Sequence, residues 1–323
     1  MKSVIKSSIL LLATLIVGCS IPESTPTNRI MLSESGVYDA HINEEGSLAI
    51  VTAVDGAINV WDLQTNQIRY TWQHQGEGTN LVDAVRFSPD SSVAVTSDSE
   101  AFALWNMENG EPIGFWRIDE DTTVRDIAVA NNGDAILVGR ANGHVLFFEP
   151  YSGRRLEFLG HEEKVNTVDL SANGRYAITG GNDYRAYLWD TQTGQIIHVF
   201  AHPHRVSMVL MDQQARFVFT ADSQDNAQIW DAQTGKAISQ LRFIERQIIF
   251  TSARFSKDGK WLLTGSPSKR MRLWDVASGE EIKQWRVKAN SGPAPQSAVV
   301  YAVGFRQNTP MSIASSGYLA YWE

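Results

Sequence analysis

A single cysteine, Cys19, in 323 residues leaves the folded part of this chain without disulfides or thiol chemistry. Helical periodicity is missing from residue 29 onward, which excludes helical bundles and α/β folds. No GxGxxG, Walker A, HExxH or CxxC pattern occurs, and these absences together tell against nucleotide, zinc-protease and redox chemistry. Basic residues are in deficit, with 28 Lys and Arg against 36 Asp and Glu, a formal charge of −8. An acidic surface of this kind argues against general nucleic-acid binding. The apolar run Ile9–Val17 is too short to span a bilayer but suits the core of an export signal.

What is present is a repeat. At steps of 41 to 48 residues a β-prone run ends in an aromatic-acidic pair or a close variant: Trp61-Asp62, Trp105-Asn106, Phe148-Glu149, Trp189-Asp190, Trp230-Asp231, Trp274-Asp275 and Trp322-Glu323. About 22 to 25 residues before each aromatic stand apolar residues at i, i+3 and i+5, beginning with Val37/Ala40/Ile42 and ending with Val300/Val303/Phe305. A flat strand alternates at i, i+2 and i+4, so the three-residue step predicts a bulge in the first strand of every unit. Turn residues follow at a constant offset, such as Asn43-Glu-Glu-Gly46 and Ser171-Ala-Asn-Gly174. A further turn leads into the strand with the aromatic-acidic pair. A bulky residue 11 positions past that pair (Trp72, Trp116, Leu159, Phe200, Leu241, Trp285) marks a fourth strand. Each unit therefore reads as a four-stranded antiparallel meander.

The period and the Trp-Asp dipeptides resemble the WD40-repeat family over residues 29 to 323. The fold class expected from that resemblance is all-β, a seven-bladed WD40-type β-propeller forming one domain. The chain stops at the end of a third strand, so the run Arg29–Ser33 is predicted to complete the last blade and close the ring, leaving no open sheet edge there. The fourth repeat matches best, and there the resemblance implies a structural tetrad of His161, Thr179, Asp183 and Trp189 rather than a hydrolytic triad. In the fifth repeat His202 and Thr220 are kept, but Gln224 stands where the family has Asp. His198, His202 and His204, with Asp225, offer too few converging ligands for a metal site, and neither metal nor cofactor is expected.

The sequence Ile16-Val17-Gly18-Cys19 resembles a bacterial lipobox, which implies a lipoprotein signal peptide over residues 1–18 and lipidation of Cys19. Loss of Lys2 and Lys6 with the signal takes the net charge from −8 to −10. Ser20 resembles the outer-membrane sorting pattern, so the expected location is the bacterial envelope, at the outer membrane facing the periplasm. Residues 19–28 read as a lipidated tether reaching at most about 30 Å.

The residues just inside each first strand (Tyr38, Asp83, Arg125, Asn166, Ser207, Thr251, Tyr301) are predicted to ring the mouth of the channel, and they are mostly uncharged. An enzyme built in the channel would converge carboxylates, imidazoles or metal ligands there. The loops on the same face carry Glu77, Asp98, Glu100 and 119–121 in blades two and three. They carry Arg242, Arg246, Lys269, Arg270, Arg286 and Lys288 in blades six and seven. This two-signed face suits a protein partner, with Tyr38, Asp83, Arg125, Tyr301, Lys269, Arg270 and Lys288 as the candidate contacts. The tether is expected to leave from the opposite face, with Glu44 and Glu45 on its membrane side. The expected function is a membrane-anchored, non-enzymatic scaffold that docks envelope proteins and no nucleic acid. The alternative is a channel that binds a small molecule, glycan or peptidoglycan fragment, ahead of an enzyme.

Overall fold

The computed structural model describes residues 24–74, 82–118, 121–243, 248–289 and 298–323. Cys19, the signal segment, Glu77, residues 119 and 120, Arg246 and most of the loop after Lys288 lie outside them. Seven four-stranded antiparallel sheets form the blades, six of them in sequence order from the channel outward. Blade four shows the pattern, with strands Val165–Leu170, Tyr176–Gly181, Arg185–Asp190 and Ile196–Ala201.

The predicted bulge is present. Register shifts fall at Val37/Asp39, Val124/Asp126, Val165/Thr167, Val206/Met208 and Val300/Ala302. In blade two both Asp83 and Ala84 face Ser97, and in blade six both Thr251 and Ser252 face Gly265, so the same two-against-one pairing recurs there. The apolar surface is divided into seven clusters, one at each junction between neighbouring blades. Each blade is thus half of two cores, which is why a single blade has no stable fold of its own.

The ring closes as expected. Asn28–Met31 pairs antiparallel with Tyr318–Tyr321 and becomes the outer strand of blade seven. Ser24 and Thr27, inside the expected tether, are docked as well. Ser24 and Arg286 exchange hydrogen bonds (Ser24 N–H to Arg286 O, 3.2 Å; Arg286 N–H to Ser24 Oγ, 3.0 Å), and Thr27 N–H donates to Tyr321 O at 2.9 Å. In blade six the bond from Arg242 N–H to Gly279 O holds the corresponding turn to the outer strand of blade five. The N-terminal segment thus supplies one half of a turn whose other half ends at Glu323, where Trp285 Nε1 donates to the Glu323 carbonyl. The first described residues lie between blades six and seven, beside Arg286 and Tyr321.

Blade three departs from the sequence reading. Leu159, expected as the bulky residue of its outer strand, is 66% exposed, and Phe158 is the buried one at 4%. Five other blades place a bulge between third and outer strands, for example at Leu188/Trp189, whereas Val145–Phe148 pairs with Arg155–Phe158 without a shift. One residue fewer is needed to reach the same depth, and a one-residue change in register exchanges the two faces of a strand.

Candidate functional site: the channel and its mouth

Polar networks lock strands within three blades. In blade four His161 Nδ1 donates to Asp183 at 2.9 Å, and its Nε2 accepts from Thr179 Oγ1 at 2.9 Å. Burial pushes the Asp183 carboxyl up, but the bonds from His161 and from main-chain N–H groups outweigh it and hold the pKa below the usual range. Trp189, expected as the fourth member, is buried and its Nε1 has no hydrogen-bond partner among the described residues. Blade five does join His, Thr and Trp, because Thr220 Oγ1 lies 2.8 Å from both His202 Nε2 and Trp230 Nε1. The His202 Nδ1 partner is the amide of Asn226 at 3.4 Å, with Asp222 farther off at 3.9 Å.

A third network was missed in the sequence. His74 Nδ1 bonds Asp98 at 3.0 Å, His74 Nε2 lies 3.2 Å from Thr96 O, and Trp105 Nε1 donates to Thr96 Oγ1 at 2.9 Å. His74 stands eight residues before Val82, where His161 and His202 stand four before Val165 and Val206, so the motif spacing hides it. Asp98, read as part of an acidic face, belongs to this lock. The other histidines do not converge: His198 Nε2 is turned to Gln233 O at 3.2 Å.

The channel interior carries charge that the reading of its mouth missed. Two and four positions after the first apolar residue, the inner strands present Asp39, His41, Arg86, Asp126, Asp169 and Arg254 toward a cavity of about 360 Å³; all but Asp39 line it directly. Each inner strand is a sheet edge, so the N–H groups it turns to the channel have no ladder partner. Side chains of the preceding blade accept them. Asp39 takes Val85 N–H (3.0 Å), His41 Nδ1 takes Phe87 N–H (3.0 Å), Asp126 takes Val168 N–H (2.9 Å) and Asp169 takes Met211 N–H (2.7 Å).

Two arginines tie blades together across this wall. Arg86 donates to Asp39 at 3.0 Å and to Asp126 at 3.1 Å, joining blades one, two and three. Arg254 of blade six reaches past blade seven to blade one, where it meets Ile42 O, His41 Nε2 and the Glu44 carboxylate. Burial, then the Arg254 and Arg86 charges, push the His41 pKa well below its usual value. Burial pushes Asp169 up to about 6, with the Asp126 charge adding to it. Among the described residues no group of three His, Cys, Asp or Glu side chains is placed to hold a metal. The channel charges are used mainly on the backbone and on one another, which is the arrangement of a structural wall.

At the mouth, Tyr38 is 47% exposed, while Tyr301 is half-buried and packs on the core between blades seven and one. Burial, then the Asp39 and Tyr38 charges, raise the Tyr301 pKa. Asp83 and Arg125 are exposed opposite charges on neighbouring blades; burial and Asp98 raise the Asp83 pKa and Arg125 lowers it. Lys269, at a positive φ of 64°, and Arg270 begin the third strand of blade six, and Val287 N–H donates to Lys269 O at 2.8 Å, which brings Lys288 alongside. Val300 N–H donates to Ser266 O at 3.2 Å, so this basic group adjoins Tyr301. Arg242 instead pairs with Glu280 on the rim at 3.5 Å.

The sheet order and the closing strand define the chain as a seven-bladed β-propeller. Two stretches of the chain match the WD40 profile (WD domain, G-beta repeat), residues 153–190 and 243–275. The chain is similar to the WD repeat-containing protein SL1-17 of Schistosoma mansoni, 29% identical over 138 residues that cover 42% of this chain and 44% of that one. It is also similar to eukaryotic translation initiation factor 3 subunit I of Candida albicans, 26% identical over 121 residues that cover 36% of this chain and 33% of that one. The matched segments span less than half the length of these curated relatives.

Proposed function

We propose that this WD40 propeller is a non-enzymatic scaffold, anchored to a membrane of the bacterial envelope through a lipid on Cys19, which docks envelope proteins on the face around its channel mouth. The observation that carries the reading is the contrast between interior and face. Inside, the charged groups are engaged with main-chain N–H groups and with each other. Outside, an exposed Tyr38 stands between a basic sector at Lys269, Arg270 and Lys288 and the Asp83/Arg125 pair. Aromatic and arginine side chains dominate protein-protein hot spots, and asymmetric charge orients the encounter. Four residues separate Cys19 from the docked Ser24, so an anchor would hold the rim within about 20 Å of the lipid surface.

Two measurements test this. Cys19→Ala is expected to leave the membrane fraction while keeping the folded domain; retention after a high-salt wash would refute the anchor. In quantitative crosslinking at matched abundance, Tyr38→Ala and Arg270→Glu are expected to weaken capture of the natural partner, while Glu45→Lys on the far turn does little. Glu44 is unsuitable as that control because it is paired with Arg254. The cavity of about 360 Å³ favours a second reading, a small polar ligand in the channel, which a ligand-dependent rise in melting temperature would support.

A further inference from the structure

Among the carboxylates of the channel interior, Asp169 is the one without a cation. Asp39 and Asp126 are both held by Arg86, and Arg254 is engaged by Glu44, His41 and Ile42 O. Asp169 accepts only main-chain N–H groups, from Leu170 at 2.8 Å and from Met211 at 2.7 Å. Each bond uses one oxygen, and a carboxylate oxygen can accept a second donor. Burial raises the Asp169 pKa to about 6, and Arg254 lowers it without forming an ion pair. At neutral pH the group is therefore ionised and uncompensated.

The wall beside it is apolar. At the second and fourth positions past the first apolar residue, where blades one, two, three and six carry charged side chains, blade five carries Met208 and Leu210. Both line the cavity of about 360 Å³, and both are half-buried, packed in part on the core between blades five and six. The Met211 N–H bond holds this strand against Asp169. A carboxylate with spare acceptor positions thus adjoins two apolar side chains that face the channel, the mixture of a few polar groups and an apolar lining that marks small-molecule sites.

With a small ligand in the channel as the premise, which is the second reading above, we propose that Asp169, Met208 and Leu210 form its binding site and that it is an organic ammonium ion with a compact apolar body. The ammonium head donates to Asp169, and the body covers Met208 and Leu210. An anion is disfavoured at this place. Asp169 and Asp126 repel it, and the arginines of the interior are already bonded to carboxylates. Of the other cations lining the cavity, Arg216 is paired with Asp212, while Arg125 and Lys257 stand exposed at its two ends.

The test is calorimetric titration of the Cys19→Ala full chain at pH 7.5 with three ligands of one skeleton: cyclohexylmethylammonium, cyclohexylmethanol and cyclohexanecarboxylate. The ammonium is expected to bind at least about tenfold more tightly than the alcohol, the factor a charge-assisted hydrogen bond supplies, and the carboxylate not at all. Asp169→Asn is expected to remove that preference while leaving the alcohol unchanged. Leu210→Lys, which supplies a cation from the chain itself, is expected to abolish ammonium binding, and it keeps the test open should Asp169→Asn fail to melt cooperatively. Equal binding of ammonium and alcohol overturns the proposal, as does a preference that survives in Asp169→Asn. Tighter binding of the carboxylate overturns it too while upholding a ligand in the channel. If none of the three binds, the proposal falls, and the channel reading is then decided by the wider screen of melting temperatures.

Discussion

His161 shows how one side chain serves a blade. Its ring is buried between a carboxylate and a hydroxyl, and removing it leaves Asp183 and Thr179 without their partner. His161→Ala is expected to destabilise the propeller by about 1–3 kcal/mol, read as a lower denaturation midpoint at unchanged slope. Asp169 predicts a pH effect of the opposite sign to that of the locked Asp183. A carboxyl whose folded pKa is raised to about 6 binds its proton more tightly when folded, so its contribution to stability is present at acid pH and is lost as pH rises to about 6. Asp183, held below its usual value, contributes above the ordinary carboxyl range and loses that contribution as pH falls. The melting-temperature deficit of Asp169→Asn relative to wild type is therefore expected to shrink between pH 4.5 and pH 7; a constant deficit would show that Asp169 does not titrate in this window.

At the scale of the strand, small changes of register decide which side chain is core. Phe158 stacks on Trp189 with ring centroids 4.5 Å apart, while Leu159 beside it faces solvent. Phe158→Ala is expected to cost about 3–5 kcal/mol and Leu159→Ala close to nothing, measured by chemical denaturation. The seven-fold pattern in the sequence averaged over this difference, because the spacing from Phe148 was taken from blades that have a bulge at this point. Trp189 shows a similar limit. Its spacing matches Trp105, Trp230, Trp274 and Trp322, each of which donates to a hydroxyl, but spacing alone does not aim a ring nitrogen.

For the whole molecule, closure rests on joining the two ends of the chain. Asn28–Met31 is the outer strand that blade seven otherwise lacks, and Ser24–Thr27 completes the turn beside Glu323. Deleting 28–31 is expected to lower the melting temperature and broaden the transition, because blade seven loses its outer strand and the clusters on either side of it lose cover. A melt unchanged by the deletion would mean that the ring closes in another way.

The sequence by itself determined the number of blades, the four-strand meander, the bulge in each first strand and the source of the closing strand. These are properties of local period and turn chemistry, and local periodicity survives in one dimension. It also marked Tyr38, Asp83, Arg125 and the basic group of blade six as one face, since every blade starts its inner strand at the same end. Tertiary structure alone decided what the channel charges do. Asp39, Asp126 and Asp169 lie 43 to 130 residues apart in sequence, and each accepts an N–H from the blade that follows. Arg254 of blade six meets Glu44 of blade one, past blade seven. No period records such pairings, because they exist only once the ring is closed and its inner edges face one another across a shared channel.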